Sequence, residues 1–242
     1  MSFMQRHAPQ HIHDLVFRDL HVRNTIEDYA NGRRDKHLLL HGPAGSGKSI
    51  AALLILNARV GSLAGTAVAQ PINPRRFTAT NFDRLLNDWS MQRSQGASRG
   101  YTVIDEVDWF PDRMRHELRA FIDTWDSGTI IVTTNNLHEL DEPFKDRFRK
   151  LLVERPSASD WTMRAKAILA KEGFALPTQN VQNLLKGFDG SARNLLEWLE
   201  DAIIELEKKQ NHTQSSCAKL MSCKPQITIS GSSPQPKSGA SQ

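Results

Sequence analysis

The segment Gly42-Pro43-Ala44-Gly45-Ser46-Gly47-Lys48-Ser49 constrains this chain more than any other. It satisfies G-x-x-x-x-G-K-[ST], follows the aliphatic run His37-Leu38-Leu39-Leu40, and runs into Ile50-Ala51-Ala52-Leu53-Leu54-Ile55-Leu56, whose composition suits a buried helix. Glycines in such a turn let successive backbone N–H groups close around a phosphate. Lys48 then neutralises the β/γ oxygens, and Ser49 offers a hydroxyl to Mg²⁺ at the positive end of a helix. A strand, a phosphate-binding loop and a helix in immediate succession commit the chain to an α/β fold.

The rest of the pattern agrees. Besides 37–40, four short β-branched or aliphatic runs read as strands: Arg76–Thr80, Tyr101–Ile104, Thr129–Thr133 and Leu151–Glu154. Between them, apolar residues recur at three- and four-residue spacing, as in Phe82, Leu85, Leu86 and Trp89, or Met114, Leu118, Phe121, Ile122 and Trp125. That is the period of helices packed on a sheet. The expectation is a parallel five-stranded sheet flanked by helices over residues 1–156. After Pro156 the pattern is purely helical, which gives a small all-helical lid domain over 157–209. From Gln210 the chain turns rich in Ser, Gln and Pro, and 210–242 reads as a disordered tail.

Two carboxylates end the third of these strands, in Val103-Ile104-Asp105-Glu106. If that strand neighbours the one before the glycine loop, Asp105 is set to hold Mg²⁺, directly or through water, and Glu106 to take a proton from an attacking water. Asp108 reads as a helix-start or solvated residue. The fourth strand ends in Thr134-Asn135-Asn136, at the carboxyl edge where open α/β sheets bind ligands. There Asn135 could orient the water, or the pair could simply form a turn.

Strand, glycine loop, Asp-Glu, a polar strand tip, an arginine after Pro143 and a glycine-led arginine in Asp189-Gly190-Ser191-Ala192-Arg193 come in an order and spacing that resemble the AAA+ ATPases over about 14–205. In detail Asp14-Leu15-Val16-Phe17-Arg18-Asp19, Phe77-Thr78-Ala79-Thr80-Asn81 and Glu142-Pro143 ahead of Arg147 are most similar to small clamp-loader subunits. The finger segment, Asp146-Arg147-Phe148, differs from the Ser-Arg-Cys usual in that branch. The resemblance implies an ATPase using ATP and Mg²⁺ at subunit interfaces. It makes Asn135 sensor 1, Arg147 the arginine finger acting in trans with Arg149 as competitor, and Arg193 the sensor 2 arginine; Val16 and Phe17 lie by the adenine. It further implies a homo- or hetero-oligomer, DNA as substrate and a protein partner of unknown identity. Related alternatives are an ATP-gated scaffold of the helicase-loader or transposition type, and a protein-remodelling regulator, although no aromatic pore-loop tripeptide occurs between Lys48 and Asp105.

Composition narrows the setting. Thirty-one Lys+Arg against 27 Asp+Glu leave a formal charge of +4, which permits a polyanionic partner without requiring one. For contact with phosphates the candidates are Arg75, Arg76 and the basic stretch Arg93–Gly100. With no apolar run of about 18 residues, a membrane partner is not expected. The expected location is cytoplasmic, or the nucleoid or nucleus if the chain is bound to DNA. Cys217 and Cys223 match no zinc spacing, and His7, His11 and His13 carry no metal-site pattern. The five tryptophans, Trp89, Trp109, Trp125, Trp161 and Trp198, sit in or beside amphipathic runs and read as packing residues.

Overall fold

The computed structural model describes residues 1–61 and 71–222, with side chains through 209. It divides into two compact units, Met1–Ala202 and Ile203–Gln242. The first contains α1 (Phe3–His7), α2 (Leu20–Ala30), β1 (Leu38–His41), α3 (Lys48–Val60), α4 (Asn81–Ser94), β2 (Gly100–Ile104), α5 (Asp112–Thr124), β3 (Gly128–Thr134), α6 (Glu142–Lys145), β4 (Arg149–Leu152), α7 (Thr162–Lys171), α8 (Thr178–Leu184) and the start of α9 (Leu195–Ser222). The second is described as far as Ser222, the end of α9.

Four parallel strands stand in the order β2-β3-β1-β4. Alternate strand residues serve opposite faces, as the two-residue period of a strand demands. Leu38, Leu40, Tyr101, Val103 and Ile131 join one apolar cluster with α2 and α3. Leu39, Ile104, Ile130 and Val132 join another with α4, α5 and α6. All seven residues of β3 are buried, as befits a central parallel strand covered on both sides.

Trp89 locks the starts of two strands. Its ring lies so close to Gly100 and Gly128 that a Cβ on either would overlap it, while its Nε1 donates to Thr102 Oγ1 at 2.8 Å. This tryptophan is fully buried, as is nearly all of Trp161; Trp198, 38% exposed, packs on Phe188 and donates to Leu184 O at 3.0 Å, but Trp109 and Trp125 are 53% and 43% exposed, against the packing role expected for all five.

The expected fifth strand is not formed among the described residues. Arg76–Thr80 instead leaves a 3₁₀ turn, Pro74–Arg76, and feeds α4. Pairing beyond β2 is reduced to one bridge, Ile72 with Ile104, because Pro71 and Pro74 on either side of Ile72 have no N–H to extend a ladder. Asp105 does donate its N–H to Ile72 O at 3.3 Å.

Residues 157–202, expected as part of a separate lid, belong to the same compact unit as the sheet. Their core includes Ala165, Ile168, Leu169, Val181, Leu185, Leu195 and Leu199. Helical backbone continues in α9 past Gln210, where composition alone suggests that a tail begins. The remainder of that expected tail, 223–242 with Cys223, lies outside the described residues, as does the side chain of Cys217.

Candidate active site

The carboxyl ends of β1, β2 and β3 bring the sequence-predicted acids and the glycine loop together. Lys48 opens α3, and Gly42, Gly45 and Gly47 all have positive φ, which only glycine adopts without strain. The Lys48 ammonium is held by the carbonyls of Gly42 and Pro43, each at 2.8 Å, with Ser46 Oγ at 3.5 Å. Burial pushes it below the usual lysine range, against the opposing fields of Asp105, Asp108 and Glu106, and the nearby positive charge of Arg155 adds to the lowering.

Asp105 is the hub. Its Oδ1 accepts from Ser49 Oγ and from Thr133 Oγ1, both at 2.6 Å. Thr133 Oγ1 in turn accepts the N–H of Glu106 at 2.9 Å. The strand order makes this arrangement informative: β3, not the Asp-Glu strand β2, is the neighbour of β1. The acids reach the loop across β3, and Thr133, buried at the tip of that intervening strand, ties Asp105 and Glu106 to one hydroxyl. The sequence reading missed Thr133. Its signal was a hydroxyl residue next to the polar strand tip, visible only once β3 is known to lie between β1 and β2.

Glu106 has φ 56° and ψ 56°, and among the described residues it is the one non-glycine with positive φ. This left-handed turn leaves its side chain exposed at the sheet edge rather than continuing the strand. Asn135 follows β3 directly and is exposed, with no side-chain hydrogen bond to a described residue, whereas Asn136 bonds Glu139 Oε1 at 3.1 Å. Asp108, set aside as a solvated residue, has Oδ1 buried without a hydrogen-bond partner among the described residues.

On the β4 side, Gly42 packs so closely on Val153 O that a Cβ would overlap it. Beside this contact Phe17, Val22, Leu152, Val153 and Glu154 line a pocket of about 220 Å³. Phe17 lines this pocket, while Val16 is half-buried and does not. Arg193 is exposed in the turn before α9, one residue after Ala192, whose N–H donates to Gly45 O at 2.8 Å. A second arginine, Arg155, passed unnoticed in the sequence; it follows the last strand and donates to Ala44 O at 2.5 Å.

Arg147 lies elsewhere. Arg149, which starts β4, pairs with Leu38 at the start of β1, so Arg147 sits near the strand starts, away from the loop at the strand ends. It forks onto Asp123, Nε to Oδ1 at 3.0 Å and the second nitrogen to Oδ2 at 2.8 Å, and also bonds Pro143 O at 2.9 Å. Its guanidinium holds the Asp123 carboxyl below the ordinary range. Of the phosphate-contact candidates, Arg93 and Arg99 are engaged at that same end, Arg93 with Ser127 O and Arg99 with Asp126 and Gly128 O. Arg75 and Arg76 are exposed, and Arg75 stacks over the exposed Trp109 ring with 3.8 Å to its centroid.

Could these residues hold a metal ion and nucleotide? Among the described residues no cluster of three or more His, Cys, Asp or Glu could hold a metal alone. One hydroxyl and one carboxylate, Ser49 and Asp105, are nevertheless the oxygen set that suits Mg²⁺ when phosphates and water complete its shell. Together with a glycine cradle and a cation at its base, the residues fit that group.

Comparison with known proteins follows the same line. Residues 38–155 match the family described as "ATPase family associated with various cellular activities (AAA)". Its curated relatives include the replication factor C small subunit of Methanothermobacter thermautotrophicus, 23% identical across 83% of this chain and 62% of that protein. Another is the sliding-clamp-loader large subunit of Escherichia phage RB69, 25% identical across 74% of this chain and 54% of that protein. The chain therefore spans roughly three-fifths of the length of these relatives. A solved variant of Thermotoga maritima RuvB shares the fold at TM-score 0.61 and 15% identity, covering 82% of this chain and 65% of that one.

Proposed function

We propose that this chain is an ATPase that binds ATP with Mg²⁺, hydrolyses it at interfaces between subunits, and acts on DNA as clamp-loader-type proteins do. The observation that carries the reading is the convergence of Ser49 and Thr133 on Asp105 beside the glycine loop, with Glu106 turned out of its strand by a left-handed backbone. Such an arrangement separates the metal-holding carboxylate from the proton-accepting one.

In this reading the amides of Gly42–Ser49 (Gly42, Pro43, Ala44, Gly45, Ser46, Gly47, Lys48, Ser49) wrap the phosphates, apart from proline, which lacks an N–H. Lys48 exchanges its loop carbonyls for phosphate oxygens. Ser49 and Asp105 hold Mg²⁺, which supplies Lewis-acid neutralisation of the phosphoryl charge. Glu106 accepts the proton of the attacking water, and Asn135 orients that water. Phe17, with Val16 behind it, flanks the base. Arg193 closes over the nucleotide from the turn before α9. Arg147, far from its own loop, serves the nucleotide of an adjoining subunit, in a homo- or hetero-oligomer.

For DNA, Arg75, Arg76 and Trp109 offer phosphate-seeking cations and an exposed ring one short turn from Glu106, a combination suited to backbone contact with stacking. Arg93 and Arg99, committed to the 126–128 turn, are poorer candidates. The site of action is then wherever DNA is held, cytoplasm, nucleoid or nucleus. No described helix is long and apolar enough to cross a membrane.

The test compares wild type, Lys48→Ala and Glu106→Gln for ATP binding, assembly and turnover, with and without duplex, single-stranded and primer-template DNA. Lys48→Ala is expected to lose nucleotide binding. Glu106→Gln should keep it while turnover falls about 10²–10³-fold, the scale of general-base catalysis. Undiminished hydrolysis in Glu106→Gln would remove the assigned base. ATP-dependent assembly without turnover in wild type would point to an ATP-gated scaffold, and indifference to every DNA to a protein client.

A further inference from the structure

Four consecutive carbonyls of the glycine loop each have a donor. Lys48 takes those of Gly42 and Pro43, Arg155 takes Ala44 O at 2.5 Å, and the backbone of Ala192 takes Gly45 O at 2.8 Å. The first two are ties of the loop to itself. The last two come from outside it, from the exit of β4 and from the turn 189–192.

This matters because a trans peptide is planar, and its C=O and the following N–H point in opposite directions. Fixing the Ala44 carbonyl on one side turns the Gly45 amide to the other. Fixing the Gly45 carbonyl does the same for the Ser46 amide. A loop with three positive-φ glycines has little intrinsic preference for that arrangement, so something external has to impose it.

The two outside donors are themselves joined. Arg155 faces Asp189 at 3.9 Å, and Asp189 organises its turn by accepting from Ser191 N at 2.8 Å and Asn194 Nδ2 at 3.1 Å. The turn fits because Gly190 lacks a Cβ, which would overlap Pro156 O. Trp161 Nε1 also donates to Gly190 O at 3.0 Å. A Cβ on Gly45 would likewise overlap Ser191 Oγ.

We propose that Arg155 is a positioning residue: it holds the outer face of the phosphate-binding loop against the 189–192 turn, so that the Gly45 and Ser46 amides are preset toward phosphate. The inference rests on the nucleotide-binding reading of the loop and adds to it a residue that the family pattern of sensors and fingers does not include. Preorganisation of this kind acts on affinity for the phosphates and leaves the proton-transfer groups at Asp105 and Glu106 in place.

The experiment measures Mg²⁺-ATP affinity, by titration with a fluorescent ATP analogue, and steady-state turnover for full-length wild type, Arg155→Ala, Arg155→Lys and Lys48→Ala. Circular dichroism checks folding. Arg155→Ala should raise Kd about tenfold, on the scale of one charge-assisted hydrogen bond, while kcat at saturating ATP falls less than about threefold. Arg155→Lys should recover part of the affinity, since an ammonium still reaches a carbonyl but cannot also face Asp189. Folded Arg155→Ala with wild-type Kd overturns the proposal and leaves the ATPase reading intact, as does an equal loss in kcat with Kd unchanged. Wild type that binds no better than Lys48→Ala overturns both. Should Arg155→Ala fail to fold, Arg155→Lys decides: a Kd severalfold above wild type supports the proposal, and an unchanged one refutes it.

Discussion

At the strand starts, arginines meet carboxylates at close range within the chain: Arg147 with Asp123 at 2.8 Å and Arg99 with Asp126 at 2.9 Å. At the strand ends three charged groups around the glycine loop have no such partner. Lys48 rests on carbonyls, Asp105 on two hydroxyls, and the Asp108 oxygen on no described partner. At the strand starts the arginines Arg147 and Arg99 meet carboxylates of the same chain, whereas Lys48, Asp105 and Asp108 at the strand ends meet none of opposite charge within salt-bridge range among the described residues.

The contrast breaks most sharply at Arg147. Its pairing with Asp123 is partly exposed, and ion pairs in that setting contribute little, so exchange for a neighbour's phosphate is an easy rearrangement. Arg147→Ala should therefore lower turnover of the assembled protein about 10³-fold, the lower range for arginine fingers, while ATP affinity stays near wild type. Mixing Arg147→Ala with Lys48→Ala subunits should restore part of the activity, because one supplies the loop and the other the arginine. A mixture as inactive as its components would place Arg147 back among purely structural pairs.

A second prediction sharpens the structural side of the comparison. His37 sits at the strand-start end, its Nδ1 accepting from Ile130 N–H at 3.0 Å, and burial, its largest cause, lowers its pKa from 6.5 to about 4. Because the folded state binds this proton less readily than the unfolded chain, the stability is complete above about pH 6.5 and is lost as pH falls toward about 4. The loss is on the order of 2–3 kcal/mol. Urea unfolding at pH 7.5 and pH 4.5, for wild type and His37→Gln, measures it: the wild-type slope with pH should flatten in the variant.

The smallest expected effect belongs to the strand ends. Thr133→Val removes the hydroxyl that serves both Asp105 and Glu106. Turnover should fall about tenfold, with unfolding midpoints shifted much less, since the remaining Ser49 hydrogen bond still holds Asp105. Equal turnover in the valine variant would mean that the shared hydroxyl is incidental.

What could be read from the sequence was what is local. Gly42–Ser49 announces a strand, a loop and a helix within a dozen or so residues, and each of those neighbours forms as expected. The acids at 105 and 106 end a strand as expected. Strand order is another matter: nothing near Val103 or Thr129 says which strand lies beside β1, so the intervening β3 and the role of Thr133 stayed hidden. Arg76–Thr80 has the composition of a strand, but the prolines at 71 and 74 shorten the edge pairing to Ile72. Arg155 before a proline is an ordinary chain segment until the turn at Gly190 folds back onto it. Trp109 was misread because helical periodicity cannot tell a ring that faces the core from one that stands just ahead of the helix, before Pro111.

The left-handed backbone at Glu106 also bears on the history and engineering of such a chain. An acidic side chain at that φ/ψ costs about 1 kcal/mol or more relative to glycine, which is at home there. Mutation and selection for thermal robustness alone would therefore drift toward glycine at 106 and discard the carboxylate on the way. A stabilised version obtained without screening for turnover would be a good candidate for silent loss of activity, and sequencing position 106 would be the quickest way to detect it.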